Sequence, residues 1–219
     1  MRTALSPAAA AALVPDGASV MIGGFMGVGT PHRTIQALVE RGVRGLTVIA
    51  NDTARPGIGI GRLITAGCVA RVIASHIGTN PETQKAMIAG TIAVDLVPQG
   101  TLAERVRAGG SGLGGVLTAT GIGTPAGEGR QIVQVEGRDY LIEPALRAAF
   151  ALVAARSADY AGNLVYSLTA RNFNPLMAMA ADTVIAEANE IVPLGVLTPD
   201  MIHTPGVLVD HLLERPQLV

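Results

Sequence analysis

Two amide side chains and a histidine come within two residues of the end of three short apolar runs. They are Asn51, His76 and Gln99, and each run is rich in Val, Ile, Leu and Ala. Because the carboxyl ends of parallel strands meet at one edge of an open α/β sheet, where ligands bind, we expect these side chains to gather there. Neutral amide donors suit a carboxylate or a developing oxyanion. The pattern therefore indicates a site for a substrate of that kind.

Each of these residues also has a structural interpretation. Asn51 is placed to cap a turn at Thr53, as Asn side chains often do. His76 has the position of a partly buried histidine whose ring is hydrogen-bonded. Gln99 stands between Pro98 and Gly100, which is an unusual place for a cap, so a functional role is favoured there.

A glycine-rich segment links the apolar run 20–22 to the helical pattern that Pro31 opens. The residues expected to contact a ligand are Gly24, Phe25, Met26, Gly27, Val28, Gly29 and Thr30. Glycine adopts positive φ and lets a ligand approach the backbone without meeting a Cβ atom. A strand, a loop and a helix N-terminus in this order commonly hold a substrate or cofactor. The alternative is a tight turn that binds nothing.

This segment does not complete the dinucleotide fingerprint GxGxxG. After Gly27 and Gly29, His32 stands where a third glycine or alanine is needed, and Asp52 is the one candidate for the acidic residue expected about 20 residues later. The run 110–115 spells the motif but follows a helical pattern rather than a strand. A nicotinamide-dependent oxidoreductase is therefore the weaker interpretation.

The composition excludes several kinds of site. A net charge of −1 and 3% aromatic residues without Trp offer neither a basic patch nor a stacking surface for nucleic acid. The spacings CxxC and HExxH and clustered carboxylates are missing, so no metal is expected. There is no GxSxG motif either. The predicted site thus has amide donors and a flexible loop but no obvious nucleophile.

The cellular compartment is predicted from three features. The single cysteine, Cys68, excludes an internal disulfide and fits a reducing compartment, and its apolar surroundings indicate a small core residue. The apolar run 150–155 is too short to span a bilayer. The N-terminal residues do not resemble a signal peptide. We therefore expect a cytoplasmic protein with no membrane segment.

The pattern of elements predicts an α/β fold built on an open, mostly parallel sheet with flanking helices. Strands are predicted at 20–22, 46–50, 69–74, 94–97, 150–155 and 183–186, and helices at 7–14, 34–41, 81–89 and 101–108. Their alternation implies right-handed βαβ units, and strands without polar alternation imply that both faces of the sheet are covered. Residues 1–219 are predicted to form one domain, because a chain of this length without a repeat or a low-complexity linker suits one large α/β domain, or one domain with a small appendage.

One stretch interrupts this alternation. Residues 108–129 contain many glycines and are predicted to form a long functional loop. A small β-hairpin insertion follows, with strands at 132–135 and 140–142 about a turn at 136–139.

Over nearly its whole length the chain resembles the alpha (A) subunit of the family I coenzyme A transferases. The matching segments are 16–31, 49–53, 75–82, 97–105, 118–124 and 170–175. Within that family, residues 77–82 and 113–116 are similar to the bacterial acetate/acetoacetate branch more than to the succinyl-CoA:3-ketoacid branch. The family architecture is an open α/β sheet in each subunit, which agrees with the predicted elements.

The resemblance implies transfer of CoA from a short-chain acyl-CoA, such as acetoacetyl-CoA, to a carboxylate such as acetate. In the family a glutamate of the beta (B) subunit carries CoA as a thioester in a ping-pong reaction, usually in an α2β2 assembly. No glutamate of this chain is assigned that role. By the same resemblance Gln99 polarises the acyl oxygen, Asn51 lies near the substrate carboxylate, and residues 24–30 contact CoA, which is a substrate rather than a permanently bound cofactor.

Other interpretations remain open from the sequence. A succinyl-CoA:3-oxoacid or 3-oxoadipate CoA-transferase subunit would share the same motifs. A non-enzymatic, effector-binding α/β module would share the sheet, but it would be expected to carry a DNA-binding segment and basic side chains for phosphate, which are not evident.

Overall fold

The structure, a computed structural model, describes residues 3–213 of the chain. In the first half the elements are α1 (Pro7–Ala12), β1 (Ser19–Ile22), α2 (His32–Arg41), β2 (Leu46–Asp52), α3 (Ile60–Thr65), β3 (Val69–His76), α4 (Pro81–Ile88), β4 (Ala93–Leu96) and α5 (Gln99–Gly110). In the second half they are β5 (Gly115–Thr118), β6 (Ile132–Val135), β7 (Arg138–Pro144), β8 (Ala148–Asp159), β9 (Leu164–Val165), α6 (Asn174–Met179), β10 (Ala181–Val192) and β11 (His211–Leu212).

Within residues 3–213, eight strands form the main sheet in the order β11-β10-β8-β1-β2-β3-β4, with β9 added to the edge of β8. Every pair along this path is parallel, and only β9 runs antiparallel to its neighbour. The predicted open, mostly parallel sheet is therefore confirmed, and so are the six predicted strands that it contains.

The central strands β1, β2 and β8 are largely buried on both faces because they alternate two sets of apolar side chains. Ile22 packs with α2 and α3 through residues such as Ile35 and Leu63. Met21 points the other way and packs with α5 and α6, where Leu102 and Met177 lie. Two hydrophobic clusters therefore sandwich the sheet, which explains why β1 shows no alternation between apolar and polar residues.

The order of the strands reverses at β1. The chain proceeds from β1 through β2 and β3 to β4 on one side, and later returns to place β8 on the other side of β1. The carboxyl end of β1 is thus a topological switch point, where open α/β sheets leave a crevice for a ligand. The glycine-rich segment that follows β1 lies at that position.

Helix α2, which follows the glycine-rich segment, is anchored by a distant carboxylate. Its first residues receive no hydrogen bond from a capping side chain at Pro31. Instead Glu187 of β10 accepts from the backbone N–H of Thr34 at 3.0 Å and from its hydroxyl at 3.1 Å. A carboxylate satisfies the free N–H groups of a helix N-terminus and complements its dipole. Strand β10 therefore helps to position the loop that precedes α2.

The region predicted as a long loop, 108–129, contains regular structure, and the prediction is wrong there. Helix α5 continues to Gly110, and residues 115–118 form β5, which joins the predicted hairpin as a three-stranded antiparallel sheet in the order β5-β7-β6. Glycine is required inside this helix because the neighbouring chain lies close: a Cβ on Gly109 would lie 2.0 Å from the carbonyl oxygen of Leu146. These glycines permit close packing and do not end the helix.

The predicted hairpin insertion itself is confirmed. Strand β6 has the predicted bounds, and β7 begins earlier than expected, at Arg138. The two residues between the strands, Glu136 and Gly137, have φ of 50° and 77°. Positive φ at both positions is typical of the tight turns whose twist matches a β-hairpin.

Two further sequence-based expectations concern burial and membranes. Cys68 is buried in the cluster that contains Leu63, and burial raises the pKa of its thiol, as expected for an inert core residue. No helix within residues 3–213 is both long and apolar enough to cross a membrane.

A pH dependence of stability follows from His203. Its Nδ1 atom accepts a hydrogen bond from the backbone N–H of Tyr166 at 3.0 Å, which requires a neutral ring. Burial, and then the charge of Arg171, lower the pKa of His203 below its usual value. The unfolded chain therefore binds this proton at a higher pH than the folded chain does. We expect thermal stability to fall as the pH is lowered from about 7.5 to 5.5, through the ordinary histidine range.

The variant His203→Gln tests this, because a glutamine oxygen can accept the same bond and does not titrate. Melting temperatures measured across that pH range should decline less steeply in the variant than in the parent protein. Parallel pH profiles would contradict the assignment.

Candidate active site

A cleft of about 670 Å³ lies at the carboxyl edge of the sheet, beside the switch point. It is lined by Phe25, Val28, Asn51, Gln99, Gly100, Ala103, Thr169, Asn172, Phe173 and Leu176. The lining thus comes from the glycine-rich segment, the end of β2, the first turns of α5 and the residues around the start of α6. Most of it is apolar, with a few amide groups, as is usual for a small-molecule site.

Gln99 and Asn51 meet in this cleft, as the sequence predicted. The Nε2 atom of Gln99 donates to Oδ1 of Asn51 at 2.6 Å. Gln99 stands in the first turn of α5, which begins two residues earlier than predicted. A glutamine Nε2 carries two protons, so the bond to Asn51 leaves a second N–H to offer to a ligand.

Asn51 is fully buried at the floor of the cleft and belongs to a polar network. Its Oδ1 also accepts from the hydroxyl of Ser75 at 3.1 Å, and its Nδ2 donates to Asp52 at 3.0 Å. The alternative role of Asn51 as a turn cap is wrong. The turn is capped by Asp52, whose Oδ1 accepts from the backbone N–H of Ala54 at 2.6 Å.

His76 does not join this group, which corrects the expectation that it would gather with the two amides. It is exposed at the end of β3 and does not line the cleft. Ser75 contacts Asn51 instead, with its hydroxyl also 2.7 Å from the Asn51 carbonyl oxygen. Successive side chains of a strand point to opposite faces, so adjacent residues of β3 cannot both reach the same cleft.

The glycine-rich segment forms a tight turn whose ends exchange two backbone hydrogen bonds. Phe25 and Val28 bond to each other through both N–H groups at 2.9 Å, and between them Met26 and Gly27 have φ of 51° and 90°. Phe25 and Val28 are each about half exposed, at 49% and 51%, and lie in the cleft wall. The turn therefore presents two apolar side chains and its backbone to a ligand.

His32, which occupies the position of the missing third glycine, holds this turn. Its Nε2 lies 3.0 Å from the carbonyl oxygen of Gly27. The residue that rules out a dinucleotide fingerprint therefore has a structural role in the loop.

Two asparagines that sequence reasoning did not assign to the site attach the glycine-rich segment to the other wall. Asn172 accepts from the backbone N–H of Gly24 and donates to the carbonyl of Val28, both at 3.1 Å. Asn174 is fully buried and donates to the carbonyl of Gly29 at 2.9 Å. The signal in the sequence was the segment 170–175, which contains both asparagines and resembled the family but was given no role.

No glutamate lines the cleft within the described part of the chain. Glu104 pairs with Arg107 at 2.6 Å, and Glu143 is buried between Arg105 and Arg130 at 3.5 and 3.4 Å. Residues 3–213 also contain no cluster of three or more His, Cys, Asp or Glu side chains able to hold a metal ion. The site thus offers hydrogen-bond donors and apolar walls to a ligand, without a carboxylate nucleophile of its own.

Fold and cleft together define an α/β protein with a cleft at the switch point of its sheet, lined by amide and apolar side chains. The sequence matches the model of the coenzyme A transferase family over residues 4–215. The chain belongs to that family, and is therefore a transferase.

Two curated relatives cover nearly all of the chain. It is 57% identical over 198 residues to the acetate CoA-transferase subunit alpha of Escherichia coli (strain K12), with 90% of each chain covered. It is 48% identical over 201 residues to the acetoacetyl-CoA:acetate/butyrate CoA transferase alpha subunit of Clostridium acetobutylicum, with 92% of each chain covered.

The fold is similar to that of a solved acyl-CoA transferase from Escherichia coli O157:H7, a thioester complex with CoA. The TM-score is 0.88 at 22% identity, with 100% of this chain and 48% of that chain covered. This chain therefore spans about half the length of that solved protein, and the likeness concerns the fold.

Proposed function

We propose that this chain is the alpha subunit of a CoA-transferase that moves CoA from a short-chain acyl-CoA, such as acetoacetyl-CoA, to a carboxylate such as acetate. The observation that carries the proposal is the cleft, which presents the Gln99 amide among apolar walls but no carboxylate nucleophile. A transferase of this kind needs such a carboxylate, and we propose that a beta subunit supplies a glutamate. The names of the relatives as alpha subunits support a pairing of this kind.

The proposed reaction conserves the thioester through two pairs of steps. The glutamate oxygen attacks the acyl carbon, the C–S bond breaks, and CoA leaves as a thiolate. That thiolate attacks the glutamyl carbonyl of the resulting anhydride, which releases the first carboxylate and leaves a glutamyl-CoA thioester. The acceptor carboxylate then reverses both steps, so that a new acyl-CoA forms and the glutamate is regenerated.

In this scheme the chain's own residues bind and polarise the substrate. Gln99 donates to the acyl oxygen as it gains negative charge, with Asn51 beside it near the substrate carboxylate. The segment from Gly24 to Thr30 contacts CoA. A donor aimed at a developing oxyanion stabilises the transition state more than the ground state.

The lining of the cleft supports a monocarboxylate substrate. None of its described residues is Arg or Lys, so the cleft lining offers no cation to the second carboxylate of a succinyl group. A charged group without a partner is costly to bury. A succinyl-CoA:3-oxoacid or 3-oxoadipate transferase is accordingly the second candidate.

The remaining parts of the proposal concern organisation. We propose one domain, because the segment before α1 pairs with the residue after β11 through a parallel bridge between Leu5 and Leu213, which brings the two ends of the described chain together. We also propose an α2β2 assembly in the cytoplasm, with CoA as substrate and no permanently bound cofactor. The one cysteine, free and buried, is compatible with a reducing compartment.

The test measures CoA transfer from acetoacetyl-CoA to acetate with this chain alone, with its beta subunit alone, and with both. We expect turnover only in the mixture, and mass spectrometry after incubation with acyl-CoA should find bound CoA on the beta subunit. A CoA adduct on this chain would contradict the division of roles. Transfer from succinyl-CoA but not from acetoacetyl-CoA would favour the second candidate.

A further inference from the structure

Asp52 is a buried carboxylate next to Asn51 at the end of β2, with 3% of its surface exposed. It accepts hydrogen bonds from three N–H groups. Its Oδ2 bonds to the backbone N–H of Met26 and to Nδ2 of Asn51, both at 3.0 Å, and its Oδ1 bonds to the backbone N–H of Ala54. A buried charge is retained only where such partners compensate its desolvation.

Two of these partners have strained backbones. Met26 and Ala54 have φ of 51° and 52°, which residues other than glycine rarely adopt. Met26 belongs to the glycine-rich turn, and Ala54 to the loop after β2. The carboxylate of Asp52 therefore holds both loops in conformations that their own side chains disfavour.

The third partner is the side-chain amide of Asn51, and Asp52 determines its orientation. A carboxylate only accepts hydrogen bonds, so Asn51 must direct its Nδ2 toward Asp52. Its Oδ1 then faces the other way, where it accepts from Gln99 and Ser75. The orientation of Asn51 in turn directs the Nε2 of Gln99, rather than its oxygen, toward Asn51.

We propose that Asp52 is a positioning residue for the transfer reaction: it orients the Asn51 amide and thereby holds the Gln99 donor, while it anchors the glycine-rich turn at Met26. This inference rests on the proposed function. Asp52 does not touch the substrate and acts only through these neighbours.

The variant Asp52→Asn preserves shape but has one oxygen instead of two. Either Ala54, or Met26 and Asn51 together, would then face an NH2 group. We expect the variant complex to lose about 10–100-fold in kcat, as is typical when an outer partner that orients a functional group is removed.

A matched control is Asp159→Asn. Asp159 is a carboxylate with 2% of its surface exposed that accepts from the backbone N–H groups of Ala161 and Asn163 and from the side chain of Asn163. It does not line the cleft. We expect both variants to lower the melting temperature, and only Asp52→Asn to lower kcat by more than about twofold.

The deciding measurement places Asp52→Asn in a Gln99→Ala background. If Asp52 affects kcat through Gln99, and the turn at Met26 affects only the KM for acyl-CoA, the double variant should have nearly the kcat of Gln99→Ala alone. Multiplied losses would overturn the proposal, since residues that act independently give additive effects on the activation free energy. An active parent complex with equal kcat in the Asp52→Asn and Asp159→Asn variants would also overturn it, whereas an inactive parent would refute the proposed function instead.

A second variant keeps the inference testable if Asp52→Asn does not fold. Ser75→Ala removes the hydroxyl whose one proton is shared between the Asn51 carbonyl oxygen at 2.7 Å and its Oδ1 at 3.1 Å, and it leaves the buried charge intact. It should lower kcat roughly twofold to tenfold, the equivalent of one hydrogen bond. An unchanged kcat in Ser75→Ala would overturn the proposed route from Asn51 to Gln99.

Discussion

The variant Gln99→Ala, assembled with the beta subunit, is expected to transfer CoA about 10²–10³-fold more slowly than the parent complex, the usual cost of losing one oxyanion donor. The donor strengthens its bond as the acyl oxygen gains charge, so the loss should appear in kcat more than in KM. Steady-state kinetics with acetoacetyl-CoA and acetate measure both constants. The melting temperature should change little, because Gln99 is exposed.

Gln134→Ala is the control for this substitution. Gln134 also donates its Nε2 to one side chain, Asp139, at 3.2 Å, but it lies in the β6–β7 hairpin and does not line the cleft. Its removal should leave kcat unchanged. If Gln99→Ala retains full turnover, the proposed role of Gln99 is wrong.

The variant Gly29→Ala is expected to have the largest effect on stability among the loop substitutions considered. Gly29 has φ of +73°, and a Cβ there would lie 2.3 Å from the carbonyl oxygen of Ala170. The left-handed backbone costs an L-residue about 1–2 kcal/mol, and displacing the opposite wall adds about 1–3 kcal/mol. Since Ala170 lies between Thr169 and Asn172, which line the cleft, the KM for acyl-CoA should rise as the melting temperature falls.

Gly42→Ala separates the two causes. Gly42 ends α2 with φ of +74°, but nothing lies within 4 Å of the position where its Cβ would be. It should show the backbone cost alone, with a smaller fall in melting temperature and an unchanged KM. Equal melting temperatures for the two alanine variants would mean that the contact with Ala170 is unimportant.

The fold class was predictable because each of its signals is local. Unbroken apolar runs such as residues 46–50 indicate strands covered on both faces, and the alternation of these runs with helical patterns indicates parallel pairing. The wrong prediction for residues 108–129 came from a local signal as well, because glycine usually disfavours a helix. The reason that Gly109 stands inside α5 is a tertiary contact, the close approach of Leu146.

Part of the site was predictable for a similar reason. Asn51 and Gln99 follow strands of one parallel sheet, so the topology alone brings them to the same edge. His76 shares that edge but not the cleft, since side chains alternate along β3 and Ser75 takes the inner position. A shift of one residue along a strand moves a side chain to the other face of the sheet. The end of an apolar run does not locate the end of a strand to within one residue.

The sequence by itself determined the class of protein and the place of the glycine-rich segment. It also showed that its motifs include no obvious nucleophile. Only the tertiary structure decided what holds that segment in place. Gly24 bonds to Asn172 across 148 residues, and Thr34 bonds to Glu187 across 153. Periodicity and turn chemistry report how a segment folds against its immediate neighbours. They contain no information about which distant carboxylate or amide will satisfy a given buried N–H, because that pairing exists only once the sheet has brought the strands together.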